Sequence, residues 1–335
     1  MKLKLYIYIA LAIFTIQARA QDPIFTQYFV VPETLNPAFT GTFITGYTGI
    51  IHRSQWPDGN KRLDTDYGFI NGSLGEEGEA GMGLGLNILS QREVFTKYNY
   101  TQINGAYSYF DDLNDNWKFS SGLEVGYGNK NYNFNGLLLE DQINIGDGSI
   151  NGGTVDPGVL NAKDKINFFD ISSGVLLYNE KAWLGASLKH LTRPNISFTT
   201  YAKAPLEMFF SAHGGYAFSL DRSNLLLTAN YMRQNQYNRL DVGTVFDMKP
   251  IKFGVFAATN PAEKSNSSQF LTSINLFSSI QIQRLLFSYS YDINTSKFGN
   301  SNGVHEISLI WQLGRECRRC NNYLVKRPWG RNYED

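Results

Sequence analysis

Four histidines, His52, His190, His213 and His305, are the side chains best suited to proton transfer or metal binding near neutral pH. They are scattered, with no HExxH pattern and no pair at ligand spacing. His190 and His305 are expected to be satisfied by neighbours in the folded interior. Ser211 and His213 lie two residues apart on one face of a candidate strand, the minimum for a nucleophile held by a base. No third group marks them, and no catalytic residue is assigned. Gly81-x-Gly83-x-Gly85 opens like a dinucleotide loop but lacks the sixth-position glycine and a following helix. Asp112, Asn114 and Asn116 open like a calcium loop, yet Trp117 stands at the invariant glycine and Leu123 at the bidentate glutamate, so a hairpin tip is expected. The two cysteines, Cys317 and Cys320, flank Arg318-Arg319 near the C-terminus. Zinc needs two further ligands that this stretch does not provide, and thioredoxin-like context is missing. A local disulfide is expected in an oxidising compartment, with free thiols as the alternative. No cofactor and no metal are implied.

The elements that would position such groups are set by export. Lys2 and Lys4, an apolar run from Leu5 to Ile16 and the small-x-small Ala18-Arg19-Ala20 read as a signal peptide, residues 1–20, cleaved after Ala20. The run is shorter than the roughly 20 residues a spanning helix needs. Lys2, Lys4 and Arg19 leave with the leader, so the mature chain is slightly acidic and offers no reason to propose nucleic acid as a partner. Aromatic residues make up 14% of the chain, Tyr and Phe foremost, with 31 glycines against 10 prolines.

What recurs is alternation with period two. In Gly81–Ile88, Met82, Leu84, Leu86 and Ile88 share one face, while Gly81, Gly83, Gly85 and Asn87 share the other. From Lys118 to Gly128, Phe119, Leu123, Val125 and Tyr127 oppose Ser120, Gly122, Glu124, Gly126 and Gly128. Such strands suit a soluble sandwich or a membrane barrel. Aromatics near strand ends (Trp56, Phe95, Tyr98, Tyr109, Phe110, Trp117, Tyr178, Trp183, Tyr291 and Trp311) suit the girdles of a barrel. Candidate strands fall near 44–54, 64–74, 80–90, 97–110, 117–128, 167–178, 182–191, 207–218, 224–234, 238–247, 250–258, 267–277, 281–292 and 303–313. That is about fourteen, an even number as in single-chain bacterial barrels. The fold expected is an all-β, transmembrane antiparallel barrel over 42–314, preceded by an N-terminal segment (21–41) and followed by a basic tail (315–335). Asp111–Asn116 reads as a hairpin turn, Asn129–Asp164 as a long extracellular loop, and 192–205, 260–266 and 294–303 as shorter loops.

Several motifs carry a family resemblance. Gln21-Asp22-Pro23-Ile24-Phe25-Thr26-Gln27-Tyr28, then Asn36-Pro37-Ala38-Phe39-Thr40-Gly41 and Arg53-Ser54-Gln55-Trp56, resemble the mature N-terminus of the PorP/SprF family. Gly185 to Pro194 is similar to its mid-chain strand. Tyr289-Ser290-Tyr291-Asp292 and His305 to Leu309 are similar to its last hairpin. The motifs run in order from end to end of the mature chain; the Cys317–Cys320 tail is a departure. The resemblance implies an outer-membrane component of the Bacteroidetes type IX secretion system, often tied to gliding motility, with a fatty-acid-transporter-like barrel. It also implies two kinds of partner: a secreted adhesin-type client bearing a C-terminal sorting domain, and periplasmic ring and motor components.

The expected function is therefore a non-enzymatic barrel, integral to the outer membrane and surrounded by its lipid. It would bind and help export or surface-anchor the client, with the N-terminus and tail periplasmic. The alternatives are a transporter or porin for small hydrophobic solutes, an outer-membrane lipid hydrolase using Ser211, and a secreted β-sandwich adhesin. Pro23, Pro32 and Pro37 oppose ladder pairing in the first segment. It is expected to fold into or under the barrel mouth as a plug with Phe25, Tyr28, Phe29 and Phe39 packed inside, Asn36 and Pro37 within it, or else to be a flexible leader. Arg53 and Trp56 are candidates for an outer-rim contact, or for lumen pairing of Arg53 with a carboxylate such as Glu124 or Asp241 and interface anchoring by Trp56. Arg318, Arg319 and Trp329 are candidates for docking a periplasmic partner, against a frayed terminus.

Overall fold

A computed structural model describes residues 22–42, 46–57, 62–74, 81–132, 138–150, 152–199, 203–221, 223–261, 270–295 and 302–313. Its strands are β1 (Tyr47–Gln55), β2 (Leu63–Leu74), β3 (Gly81–Glu93), β4 (Asn99–Asn114), β5 (Trp117–Asn131), β6 (Lys165–Tyr178), β7 (Ala182–Lys189), β8 (Phe209–Leu220), β9 (Ser223–Gln234), β10 (Tyr237–Met248), β11 (Ile251–Thr259), β12 (Leu271–Ile282), β13 (Leu285–Asn294) and β14 (Val304–Gln312). Each pairs antiparallel with its sequence neighbours. β1 closes on β14, from Tyr47 opposite Gln312 to Gln55 opposite Val304. Closure leaves no edge, so the wall's backbone groups are satisfied within the sheet, as a hydrocarbon environment demands.

All fourteen candidate strands appear, with shifted bounds. The Asp111–Asn116 turn shrinks to Asp115–Asn116 because both strands continue into it. One end of the barrel carries the connections β2–β3, β4–β5, β6–β7, β8–β9, β10–β11 and β12–β13, all short. The other carries the long ones, including those between β5 and β6 and between β7 and β8. We call these the turn end and the loop end.

The alternation resolves inside-out relative to a soluble protein. On β3, Met82, Leu84, Leu86 and Ile88 face outward and are exposed, while Gly81, Gly83 and Asn87 are buried toward the lumen. On β14, Ile307, Leu309 and Trp311 face out while Glu306 and Ser308 are fully buried. A continuous apolar exterior around a polar interior excludes the sandwich and fits lipid. Not every strand-end aromatic joins the girdle. Tyr178, Trp183 and Phe110 lie on the lumen face, where Trp183 covers Gly215 and Phe110 covers Gly81. Parity along the strand, set by register, decides this.

Residues 22–42 occupy the lumen. Single 3₁₀ turns at Pro32–Thr34 and Pro37–Phe39 compact the segment, each opened by a proline whose missing N–H costs nothing there. Asn36 caps the second by accepting from the Ala38 N–H at 2.9 Å. The chain runs lengthwise. Asp22 lies at the loop end, beside Gln234 and His190, and Gly41 (φ +67°) lies against Gly72 and Gly83 near the turn end. A side chain at Gly41 would collide with that backbone. Among the described residues, Asp22 and Leu313 sit at opposite ends of the barrel. Threading through the lumen separates them.

Candidate functional site

The lumen is where buried polar chemistry concentrates, and the inner segment organises it. On the β13–β14–β1 side, Arg53 is almost fully buried and its Nη1 lies 2.9 Å from Glu306 Oε2 and 3.3 Å from Asp292 Oδ2. The sequence-level partners Glu124 and Asp241 are thus corrected to Glu306 and Asp292. Glu306 sits directly opposite Arg53 across the β1–β14 ladder, and strand closure rather than chain proximity selects it. The same carboxylates hold the inner segment. The Thr26 and Gln27 N–H groups donate to Glu306 at 3.0 and 2.8 Å, and Thr26 Oγ1 donates to Asp292 at 2.7 Å. One guanidinium, two carboxylates and two backbone amides form a compensated network, as burial of charge requires. An outer-rim contact for Arg53 is not what the geometry gives. Trp56, just past β1, is half exposed at the loop end, and its N–H donates to Gly303 O at 3.0 Å.

Farther toward the turn end, Asn36 Nδ2 donates to Val175 O (3.0 Å) and Ala186 O (3.3 Å) and lies 3.3 Å from His213 Nε2. Gly174 and Gly185 make this approach possible, since a Cβ on either would run into Asn36. Gly122 yields in the same way to Pro37 and Ala38, and Gly83 to Thr40. The small face of the alternating strands is therefore the seat of the inner segment. Glu33 accepts from Tyr47 OH and from Asn71 Nδ2, and Ser108 and Ser120 donate to the Thr40 and Ala38 carbonyls. On the β11–β12 side contact is apolar. Phe29 stacks on Phe256 at 4.7 Å and meets Phe277 edge-on at 4.8 Å, with Tyr28 against Phe256 at 6.4 Å. Phe25 packs on Tyr67 and Phe39 on His213.

At the loop end a third anchor forms. His190, one residue beyond β7 and held at φ +60°, lies with Nε2 2.6 Å from Asp22 Oδ2 and Nδ1 2.6 Å from Asp170 Oδ2. Burial alone would disfavour both charges. The two carboxylates overcome it for His190, raising its pKa to about 9, and the His190 cation overcomes it for Asp22, lowering that carboxyl to about 2. His190 is an interior histidine, as expected. His305 is not: it faces outward with Ile307 and bonds Tyr289 OH at 2.8 Å. His52 faces outward beside Asp66 at 2.7 Å.

Ser211 Oγ is 3.2 Å from His213 Nδ1 but donates to Asn230 Oδ1 at 2.9 Å, and the far side of the imidazole faces Asn36. Among the described residues no carboxylate orients the ring, and the third member a hydrolytic triad uses is not among its hydrogen-bond partners. Beside the inner segment, Tyr100 OH donates to Gln102, Gln102 to Asn104, Asn104 to Asn87 and Asn87 to Glu124, in one direction. This chain, which the sequence did not disclose, borders a cavity of about 50 Å³ also lined by Asp22, Tyr67 and His190. It has room for a few waters and none for a drug-sized solute.

At the loop end, the two margins of the β5–β6 connection, Tyr132 and Ala162–Lys163, meet the β7–β8 connection. Lys163 N–H donates to Phe198 O at 2.7 Å, Ala162 pairs with Thr199, and the Tyr132 and Phe198 rings lie 5.9 Å apart. Cys317, Cys320, Arg318, Arg319 and Trp329 lie outside the described residues.

A family model described as type IX secretion system membrane protein PorP/SprF matches residues 17–311. The solved structure of the CymD monoaromatic hydrocarbon channel matches with TM-score 0.50 at 12% identity, over 87% of this chain and 94% of that one. A Pseudomonas aeruginosa FadL homologue matches with TM-score 0.43 at 11% identity, over 83% of this chain and 93% of that one. No curated protein matches the sequence.

Proposed function

As the chain belongs to the PorP/SprF family of type IX secretion system membrane proteins, we propose that it is a non-enzymatic outer-membrane barrel that captures a secreted adhesin-type client and links it to periplasmic machinery. The observation that carries this reading is the occupied lumen. Residues 25–42 are buried along it and tied to the wall by ionic, amide and aromatic contacts. A lumen filled by its own chain leaves the two ends of the barrel as the surfaces for partners. Short turns face the periplasm in bacterial barrels, so the loop end is assigned outward and the basic tail inward. The Asn129–Asp164 connection is then the main client-facing element. The inner segment acts as a plug, and its first described residue, Asp22, faces the outer side.

The test is co-purification from the native envelope in mild detergent, followed by mass spectrometry. Deleting residues 138–160 from a barrel that still shows heat-modifiable gel migration is expected to abolish recovery of the secreted client. Unchanged recovery overturns client capture at this loop. A second reading, passage of small hydrophobic solutes, is favoured by the likeness in fold to a hydrocarbon channel. The polar lining opposes it: Asn, Gln, Ser and Asp side chains dominate the lumen face. Steady conductance or solute uptake by the unmodified protein in liposomes would decide for transport.

A further inference from the structure

The β5–β6 connection combines two properties rarely exposed together. Ile145 is 91% exposed, Val155 75%, Ile150 65% and Leu160 64%, all outside the strands that meet lipid. Between Lys130 and Lys163 there is no basic residue, whereas Glu140, Asp141, Asp147 and Asp156 are all exposed. The loop is built rather than slack. Asp141 Oδ2 accepts from the Val155 N–H at 2.6 Å and from Thr154 Oγ1 at 2.7 Å, joining positions 14 and 13 residues apart. Ile143 pairs with Ile150 around a turn in which the Gly148 N–H donates to Asn144 O at 2.8 Å. Its far end is fastened to the neighbouring loop through Ala162 and Lys163. Aliphatic side chains held outward on an ordered frame lose little freedom on binding, which favours association.

We infer that this loop is a docking surface for a positively charged, apolar segment of a secreted protein, in which basic side chains meet Glu140 and Asp147 while aliphatic or aromatic ones cover Ile145, Val155 and Leu160. The inference rests on the proposed client capture and names its chemistry. A lipid surface is the other natural cover for exposed aliphatics, but anionic headgroups repel a stretch that carries exposed acidic side chains and no basic residue between Lys130 and Lys163. An acidic or purely polar partner would leave either the charges or the aliphatics unanswered. Charge pairing at an exposed rim speeds encounter and weakens with salt, while the apolar contacts supply affinity.

The test uses the full-length protein in nanodiscs and two labelled peptides, one alternating lysine and leucine, the other alternating glutamate and leucine. The unmodified protein is expected to bind the lysine peptide about tenfold or more tightly than the glutamate peptide at low salt, with the preference narrowing at high salt. Glu140→Lys/Asp147→Lys, which spares the structural Asp141, is expected to abolish the preference. Ile145→Ser/Val155→Ser/Leu160→Ser is expected to weaken both peptides about tenfold or more. Equal binding of the two peptides, or binding unchanged in either variant, overturns the inference. So does loss of lysine-peptide binding by the full-length protein when anionic vesicles are added in place of neutral ones. Client recovery separates the two levels: if deletion of residues 138–160 removes the client and charge reversal does not, the chemistry fails and client capture stands.

Discussion

The inner segment is fastened at two places that use the same ingredients, carboxylates and one cation, in different settings. Toward the loop-end terminus of β1, Arg53 sits between Glu306 and Asp292 in a site closed to solvent, with Thr26 and Gln27 completing the network. At the loop end, His190 sits between Asp22 and Asp170, and the Asp22 side chain keeps 16% of its surface exposed. The planar guanidinium meets two carboxylates at once inside the closed wall, so the first anchor is a structural tie. Histidine titrates, so the second is conditional. The comparison teaches that one lumen can hold its filling by a fixed strut and a releasable latch.

The strut is the place to break the difference most severely. Arg53→Ala leaves Glu306 and Asp292 buried without a cation and is expected to cost about 3–5 kcal/mol. It is read as lost thermal resistance of the heat-modifiable band and rapid hydrogen exchange at Thr26 and Gln27. Arg53→Lys retains the charge without the two-pronged geometry and should recover part of that loss. An unaltered exchange rate in Arg53→Ala would show that the network does not hold the segment.

The seat can be tested without touching either anchor. Gly122→Val places branched carbon where Pro37 and Ala38 lie, a clash expected to cost about 1–3 kcal/mol. If the segment yields instead of the wall, residues 35–40 become accessible to protease while the barrel still migrates as folded. Protection equal to the unmodified protein contradicts the seating.

The latch should respond to pH, with a stabilisation on the order of 1–3 kcal/mol at most. The folded His190 pKa of about 9 exceeds its ordinary 6.5, so its contribution is complete below 6.5 and is lost as pH rises through about 9. The Asp22 pKa of about 2 lies below its ordinary 3.8, so its contribution is complete above 3.8 and is lost as pH falls through about 2. Protection of Pro23–Phe25 is therefore expected to be greatest between pH 3.8 and 6.5 and to fall toward pH 9. His190→Gln should flatten the alkaline side, whereas a profile identical to that of the unmodified protein would assign the pH dependence elsewhere.

Most of the barrel was legible because its signal is local. Side chains in a strand alternate whatever the strand pairs with, so Met82, Leu84, Leu86 and Ile88 announce one face from four positions. Turn bounds were less legible, since Asp111 to Asn114 can serve a tip or a strand and pairing with Trp117 to Phe119 decides. The site was half visible. Phe25, Tyr28, Phe29 and Phe39 marked the inner segment as apolar, and Arg53 needed a carboxylate by the cost of burying charge. Which carboxylate it met, and the amide chain from Tyr100 to Glu124, depend on residues brought together by register around the closed sheet.

By itself the sequence determined the number of strands, their two faces and the need to fill a small-residue interior, because these follow from backbone geometry and side-chain size. Only the tertiary structure decided that Glu306 rather than Glu124 answers Arg53, that Tyr178 and Trp183 point inward and His305 outward, and that Asp22 ends up opposite Leu313. Those outcomes depend on the closure of β1 on β14 and on the path of one threaded segment. Both bring together residues far apart in the chain, as Arg53 and Glu306 are at 253 positions, and no local spacing records such a contact.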